Sequence, residues 1–205
     1  MAGSSTADPG QPAQPVFYFD LASPEAYLTA ERVLDALPDV AEWQPVWLGG
    51  LRAGEVGSGF RCVHEMESFR EDIERRARAL GLQEFRWPDP FPADSRWAML
   101  VTTYAKEIGR TVPFAQAAFR QAFAGGRDLG VRDNVLIAAA ACEMHPTAVV
   151  KSAGLRSIAA RLDEATAAAA AAGVLDVPAV RVGDEVFHGD RELERAARAL
   201  GAAAR

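Results

Sequence analysis

Residues 15–28 read PVFYFDLASPEAYL, and this stretch decides the architecture. Its first half, residues 15–19, reads as a short apolar strand. Ser23 and Pro24 follow within a few residues, where that strand turns directly into a helix. A serine supplies the side-chain oxygen that caps free amides at a helix start, and proline suits the first helical position. A helix start also stabilises negative charge, so a phosphate, carboxylate or thiolate brought there is held. Two readings of Ser23 stand at this point: it caps its helix only, or it also faces a ligand.

The pattern extends outward in both directions. Residues 1–14 are rich in Gly, Ser, Ala, Pro and Gln with almost nothing to bury, and are expected to form a disordered tail. The helix predicted after Ser23 runs from Glu25 to Leu37 and ends at Pro38, and WQPVWL, residues 43–48, reads as strand two. Helical periodicity then predicts helices over 65–80, 96–108, 113–124 and 134–142, and another over 155–172 that ends in six alanines before Gly173. Beyond it, an apolar strand beginning at Pro178, a Gly183-Asp184 turn, a second short strand and a closing helix over 191–200 complete the chain. This order predicts an α/β fold with a mixed sheet covered by helices. Residues 15–50 and 153–205 would form the sheet domain, and residues 51–152 a large all-helical insertion.

Composition narrows the function classes. The 205 residues are 49% hydrophobic, enough for a sizeable core, and carry 28 acidic against 22 basic side chains for a net charge of -6. The charges are dispersed, which argues against a nucleic-acid backbone as partner. The start MAGSSTADPGQPAQP has no basic apolar leader and no later run is long enough to span a bilayer, so a cytoplasmic location is expected. Cys62-x-His64 and Cys142-x-x-His145 are two conceivable ligand pairs for zinc, but the spacing is loose and no metal is expected. Arg75, Arg76 and Arg78 share a helix with Glu71 and Glu74 and read as a solvated ion-pair face.

Taken jointly, YFDLASPEAYL (18–28), FRWPDPFPADS (85–95) and DVPAVRVGDEVFHGDREL (176–193) resemble the thioredoxin-like family of 2-hydroxychromene-2-carboxylate isomerases, related to kappa-class glutathione transferases and DsbA-type disulfide oxidoreductases. The resemblance runs from about Pro15 to about Leu200. It implies a thioredoxin-like fold with a helical insertion, a cis bond between Val177 and Pro178, and a cleft in which these two residues face Ser23. Disulfide oxidoreductases carry two cysteines at this helix start, one attacking and one resolving. Here the matching segment is Ser23-Pro24-Glu25-Ala26, so thiol–disulfide exchange is disfavoured.

The isomerases and kappa-class transferases instead bring the thiol as bound glutathione. By resemblance, Ser23 and Pro24 stand beside its sulfur, Val177 and Pro178 pair with the tripeptide backbone, and Asp190 takes the γ-glutamyl end. From the residues alone, Asp190 is equally a cap for the last helix. The implied reaction is isomerisation, or conjugation, of a small aromatic electrophile through the bound thiolate of glutathione or another low-molecular-weight thiol. Asp94, Trp97 and His188 are candidates for the substrate cleft. Family members usually show Asn after strand two and in the segment matching PFPADS, whereas this chain has LGGLRAGEVGSGF around Gly59, and Asp94. A disulfide oxidoreductase by descent and a non-catalytic thioredoxin-like binding protein are the alternatives. A homodimer is possible by the same resemblance.

Overall fold

The computed structural model describes residues 14–51 and 63–203. Four strands form one sheet in the order β2-β1-β3-β4, where β1 is Val16–Phe19, β2 Glu42–Pro45, β3 Ala179–Val182 and β4 Glu185–His188. β1 pairs with β2 in parallel and with β3 antiparallel, and β3 and β4 form an antiparallel hairpin. All four residues of β1 are buried, as a central strand covered on both faces requires.

Alternation along β1 divides the core in two. Phe17 and Phe19 point to one face, where they meet Trp43 of β2 at centroid distances of 5.0 and 5.6 Å. Val16 and Tyr18 point to the other, into a smaller cluster with Val46, Val174, Val177 and Ala169. Ala169 belongs to α9 (Arg156–Ala171), whose Leu162, Thr166 and Ala169 are the buried stripe of that helix. The alanine run is helix, as expected, and the small residues let α9 lie close against the sheet.

On the larger face, α1 (Pro24–Ala30) packs against α6 (Thr111–Phe123). Tyr27 stacks on Phe123 at 5.7 Å, and Phe19 lies 5.9 Å from Phe119. Between β2 and α9 the chain runs through α3 (Leu48–Leu51), α4 (Val63–Ala79), α5 (Arg96–Glu107), α6, α7 (Arg132–Ala141) and α8 (Pro146–Ala153). The chain closes with a 3-10 turn, Asp190–Glu192, and α10 (Leu193–Ala203).

Four local expectations are corrected. The helix predicted over 25–37 ends at Ala30 and resumes as α2 (Val33–Ala36), with the Arg32 N–H bonded to the Thr29 carbonyl at 3.0 Å in a tightened turn. Strand two stops at Pro45 rather than Leu48. The Trp47 N–H turns away to Thr166 Oγ1 (2.9 Å) and the Leu48 N–H to Asp20 (2.8 Å), so neither amide can extend the ladder. The strand expected from Pro178 begins one residue later, at Ala179. Helix α8 was not expected; Pro146 opens it and Val149 and Ala153 are buried along it. The expected tail, residues 1–14, lies outside the described residues except for Gln14, and Gly59 and Cys62 lie outside them too.

Candidate active site

Ser23 occupies the N-cap of α1 with an extended backbone (φ −90°, ψ 114°), and its Oγ accepts the Ala26 N–H at 3.1 Å. The hydroxyl proton has a second destination. It donates to the carbonyl of Val177, 154 residues along the chain, at 3.2 Å. Val177–Pro178 is cis, and Ser23 and Val177 are 6% and 4% exposed, so the contact is formed inside the protein. Both readings of the serine start from the same atom, which caps the helix and faces the cis-proline turn. The first-turn amides are a narrower anion site than expected. Pro24 has no N–H, the Ala26 N–H goes to Ser23 Oγ, and the Tyr27 N–H goes to the Ser23 carbonyl at 3.1 Å. In a seven-residue helix the hydroxyl, more than the dipole, is the group that can act on a ligand.

Asp20 was not singled out from the sequence. It ends β1, is fully buried, and its carboxylate accepts three donors: the Ala22 N–H (2.9 Å), the Leu48 N–H (2.8 Å) and the Ser95 hydroxyl (3.0 Å). One side chain therefore joins the Ser23 turn, the segment after β2 and the start of α5. An aspartate closing an otherwise apolar strand is the signal that could have found it, because an acid placed there must be satisfied internally. Burial pushes its carboxyl above the ordinary value of 3.8, and the three donors oppose that shift. A raised folded-state value means that the folded protein holds the proton more firmly than the unfolded chain does. The resulting stabilisation is present below pH 3.8 and is lost as pH rises through the folded value. Urea unfolding of wild type and Asp20→Asn from pH 4 to 7 should show the wild-type advantage shrinking as pH rises; an advantage that grows instead would mean that the charged form is the preferred one.

Asp190 is 3% exposed and does not cap a helix. Gly189, with φ 87° and ψ 154°, turns the chain in a conformation open essentially to glycine alone and delivers Asp190 inward as the first residue of the 3-10 turn. There it pairs with Arg76 of α4. The same guanidinium pairs with Glu25 of α1 (3.1 Å) and Asp72 (3.0 Å). Arg75 and Arg78 do lie on the solvated face expected of them, but Arg76, at 14% side-chain exposure, ties the insertion to the Ser23 helix. Burial raises the Glu25 carboxyl, and Arg76 opposes this.

Beside Leu21 and Ala22 runs a narrow apolar crevice bounded by Phe91, Ser95, Phe123 and Leu129. Its volume of about 10 Å³ is that of one water molecule. Asp94 is exposed and accepts the Arg96 N–H at 2.9 Å, which makes it part of the start of α5. Trp97 is half-buried, with the Arg132 guanidinium 5.4 Å from its ring centre. His188 accepts the Leu175 N–H through Nε2 at 3.1 Å and so secures the loop that leads to Val177. The structure thus brings together Ser23, Pro24, Val177, Pro178 and Asp20, with Asp190 joined through Arg76 and Glu25. Asp94 and Trp97 are not among the residues bounding the crevice. Among the described residues no three metal-binding side chains gather, and burial pushes the Cys142 thiol up.

Residues 16–201 match the family described as the DSBA-like thioredoxin domain. The chain belongs to that family. No curated protein matches this DSBA-like chain in sequence. Its fold is similar to that of a solved 2-hydroxychromene-2-carboxylate isomerase, with a TM-score of 0.84 and 22% identity over 93% of this chain and 96% of that one. A probable DsbA oxidoreductase of Streptomyces coelicolor superposes with a TM-score of 0.75 at 19% identity, over 93% and 89% of the two chains. The cytosolic disulfide reductase DsbM of Pseudomonas aeruginosa, solved with GSH, gives 0.60 at 15% identity, over 92% and 96%.

Within this DSBA-like domain, the start of the helix after β1 carries Ser23 and Ala26, so two sulfurs cannot form or exchange a disulfide there. The cis Val177–Pro178 peptide expected from the resemblance is present and in contact with the serine.

Proposed function

We propose that this protein is an enzyme that binds a low-molecular-weight thiol, glutathione foremost, and uses its thiolate on a small aromatic electrophile in the manner of a 2-hydroxychromene-2-carboxylate isomerase. The observation that carries this reading is the buried Ser23 hydroxyl directed at the Val177 carbonyl, in a position where a thiol–disulfide enzyme needs a cysteine. The fold similarity to such an isomerase, and to a disulfide reductase solved with GSH, supports it.

The residues present fit such a ligand at its sulfur end. A sulfur beside Ser23 has a hydroxyl within reach, and a hydrogen bond to a thiolate lowers the thiol pKa by favouring the charged form. When bound, such a thiol supplies a reversible nucleophile whose addition and departure let a conjugated double bond rotate with no net redox change. Ser23 holds the negative charge, Val177 and Pro178 wall the sulfur, and the aromatic crevice beside Ala22 excludes water from the reacting face. The γ-glutamyl end is the harder fit. The Asp190 carboxylate already has Arg76 as partner, so an incoming ammonium shares that carboxylate or draws on Glu25. Among the described residues no helix is long and apolar enough to cross a membrane. The proposed setting is the cytoplasm, where small thiols stay reduced.

Calorimetric titration with glutathione, joined to ultraviolet absorbance of the bound thiol against pH, tests the reading. Binding at millimolar concentration or tighter, with a lowered thiol pKa and no reduction of insulin disulfides, is expected. No binding of glutathione or any other small thiol removes the proposal. Lowered pKa without turnover across a panel of chromene carboxylates and other electrophiles would leave a binding protein.

A further inference from the structure

Arg70 lies half-buried on α4, and no acid among the described residues pairs with it. Helical spacing offers it one. Glu74, four residues on, is the neighbour that ordinarily pairs with a charge at this position. The Glu74 carboxylate is taken instead by the indole N–H of Trp87 at 2.8 Å, with Arg78 4.0 Å away. Glu67 and Glu71, also close to Arg70 along the helix, are exposed.

The Arg70 guanidinium rests on rings rather than on a carboxylate. Its centre is 5.1 Å from the ring centre of Trp87 and 5.7 Å from that of Phe91, and its Nε is buried with no hydrogen-bond partner. The ring faces attract the cation but do not neutralise it. A guanidinium withdrawn from water in this way gains when an anion arrives.

Trp87 and Phe91 meet edge to face at 4.7 Å and are both half-buried, so ring surface remains open beside the guanidinium. Phe91 also bounds the crevice beside Leu21 and Ala22, the residues that lead into Ser23. Arg70 is therefore one aromatic ring away from the turn that carries the Ser23 hydroxyl. An arene that reaches outward from Ser23 past Phe91 meets ring surface first and the guanidinium beyond it. The planar guanidinium fork fits a carboxylate with two parallel hydrogen bonds, which a neutral amide does not reproduce.

Resting on the thiol-and-electrophile reading above, we propose that Arg70 is a specificity residue that anchors a carboxylate, and that the electrophile is an aromatic acid rather than a neutral arene. Such an anchor holds the electrophile alike in the ground state and the transition state, so it acts on KM more than on kcat.

The test pairs an anionic with a neutral form of one electrophile, 4-chloro-3-nitrobenzoate and 4-chloro-3-nitrobenzamide, each with glutathione. In both, the thiolate sulfur bonds to the carbon that bears chlorine, chloride leaves with the electron pair, and the thiol proton goes to solvent. The benzoate should have the lower KM in wild type. Arg70→Met, which keeps an apolar stem on the rings, should lose about 10- to 100-fold in kcat/KM on the benzoate, mainly through KM, and almost nothing on the benzamide. Arg70→Lys keeps the charge without the fork and should fall in between. Equal losses on the two electrophiles, or none on either, overturn the proposal. A loss that follows the thiol, present with glutathione and absent with its glycyl ethyl ester, overturns the assignment of the carboxylate to the electrophile. If Arg70→Met does not fold, Arg70→Lys carries the comparison.

The same contrast is read without turnover by calorimetry with 2-naphthoate and 2-naphthamide. Tighter wild-type binding of the naphthoate that Arg70→Met abolishes supports the anchor, and equal binding of the two overturns it. Glutathione binding with no preference for either acid strikes the anchor alone. Failure of every small thiol to bind strikes the thiol reading and leaves the naphthoate result to judge Arg70.

Discussion

Replacing Arg76 by methionine is expected to destabilise the protein by about 3–5 kcal/mol, because it leaves Asp190 buried with its charge unpaired. Asp190 is 3% exposed, and the pair with Arg76 is the only side-chain partner its carboxylate shows among the described residues. Methionine keeps most of the volume and the flexible stem, so the loss reads on charge more than on packing. For a domain of this size the shift corresponds to a fall of roughly 6–20 °C in Tm. The double variant Arg76→Met, Asp190→Leu should recover most of that loss, since an apolar pair of similar volume commonly replaces a buried ion pair without penalty. Calorimetric unfolding of the three proteins checks the point. A single variant within about 2 °C of wild type would show that Asp190 is hydrated or paired otherwise, and that the α4 to α1 tie is dispensable.

Ser23→Ala has the second large effect, on the bound thiol. A hydrogen bond to a charged group contributes about 1.5–3 kcal/mol, and each pKa unit is worth 1.36 kcal/mol, so the bound thiol's pKa should rise by about 1–2. That leaves about 10- to 100-fold less thiolate below its pKa, and the rate with a reactive probe such as 1-chloro-2,4-dinitrobenzene should fall by the same factor. The same substitution removes the cap on the Ala26 N–H, which is worth about 1 kcal/mol of stability. The two losses separate by pH. The rate deficit should close as pH passes the raised thiol value, whereas the stability loss should not follow it. A rate profile displaced downward at every pH without a shifted midpoint would assign Ser23 a structural role alone.

The site divides according to how far each feature depends on local chain. Ser23, Pro24 and the helix they open were legible because capping chemistry needs only neighbours in sequence, and the structure keeps that cap at 3.1 Å. The cis turn at Val177 and Pro178 and its contact with Ser23 came from the family resemblance, since residues 154 positions apart carry no joint signal in periodicity. Asp20 was missed because its role exists only where three segments converge on one carboxylate. Arg76 was misread because helical spacing shows which charges share a face, not which tertiary surface that face meets. Asp190 was balanced between cap and ligand, and the structure adds a buried ion pair with Arg76 that neither reading contained.

What this sequence determined by itself was local: the apolar strand that became β1, the serine-proline helix start with no cysteine beside it, the alanine-rich helix before the last strands, and the hairpin at Gly183. Such features follow from backbone sterics, side-chain periodicity and caps, all of which act within a few residues. Only the tertiary structure decided which charges are buried together, where β2 ends, and which carbonyl the Ser23 proton meets. Those outcomes depend on whether a distant group arrives to satisfy a buried donor or acceptor, and desolvation makes that requirement strict only once the segments have packed.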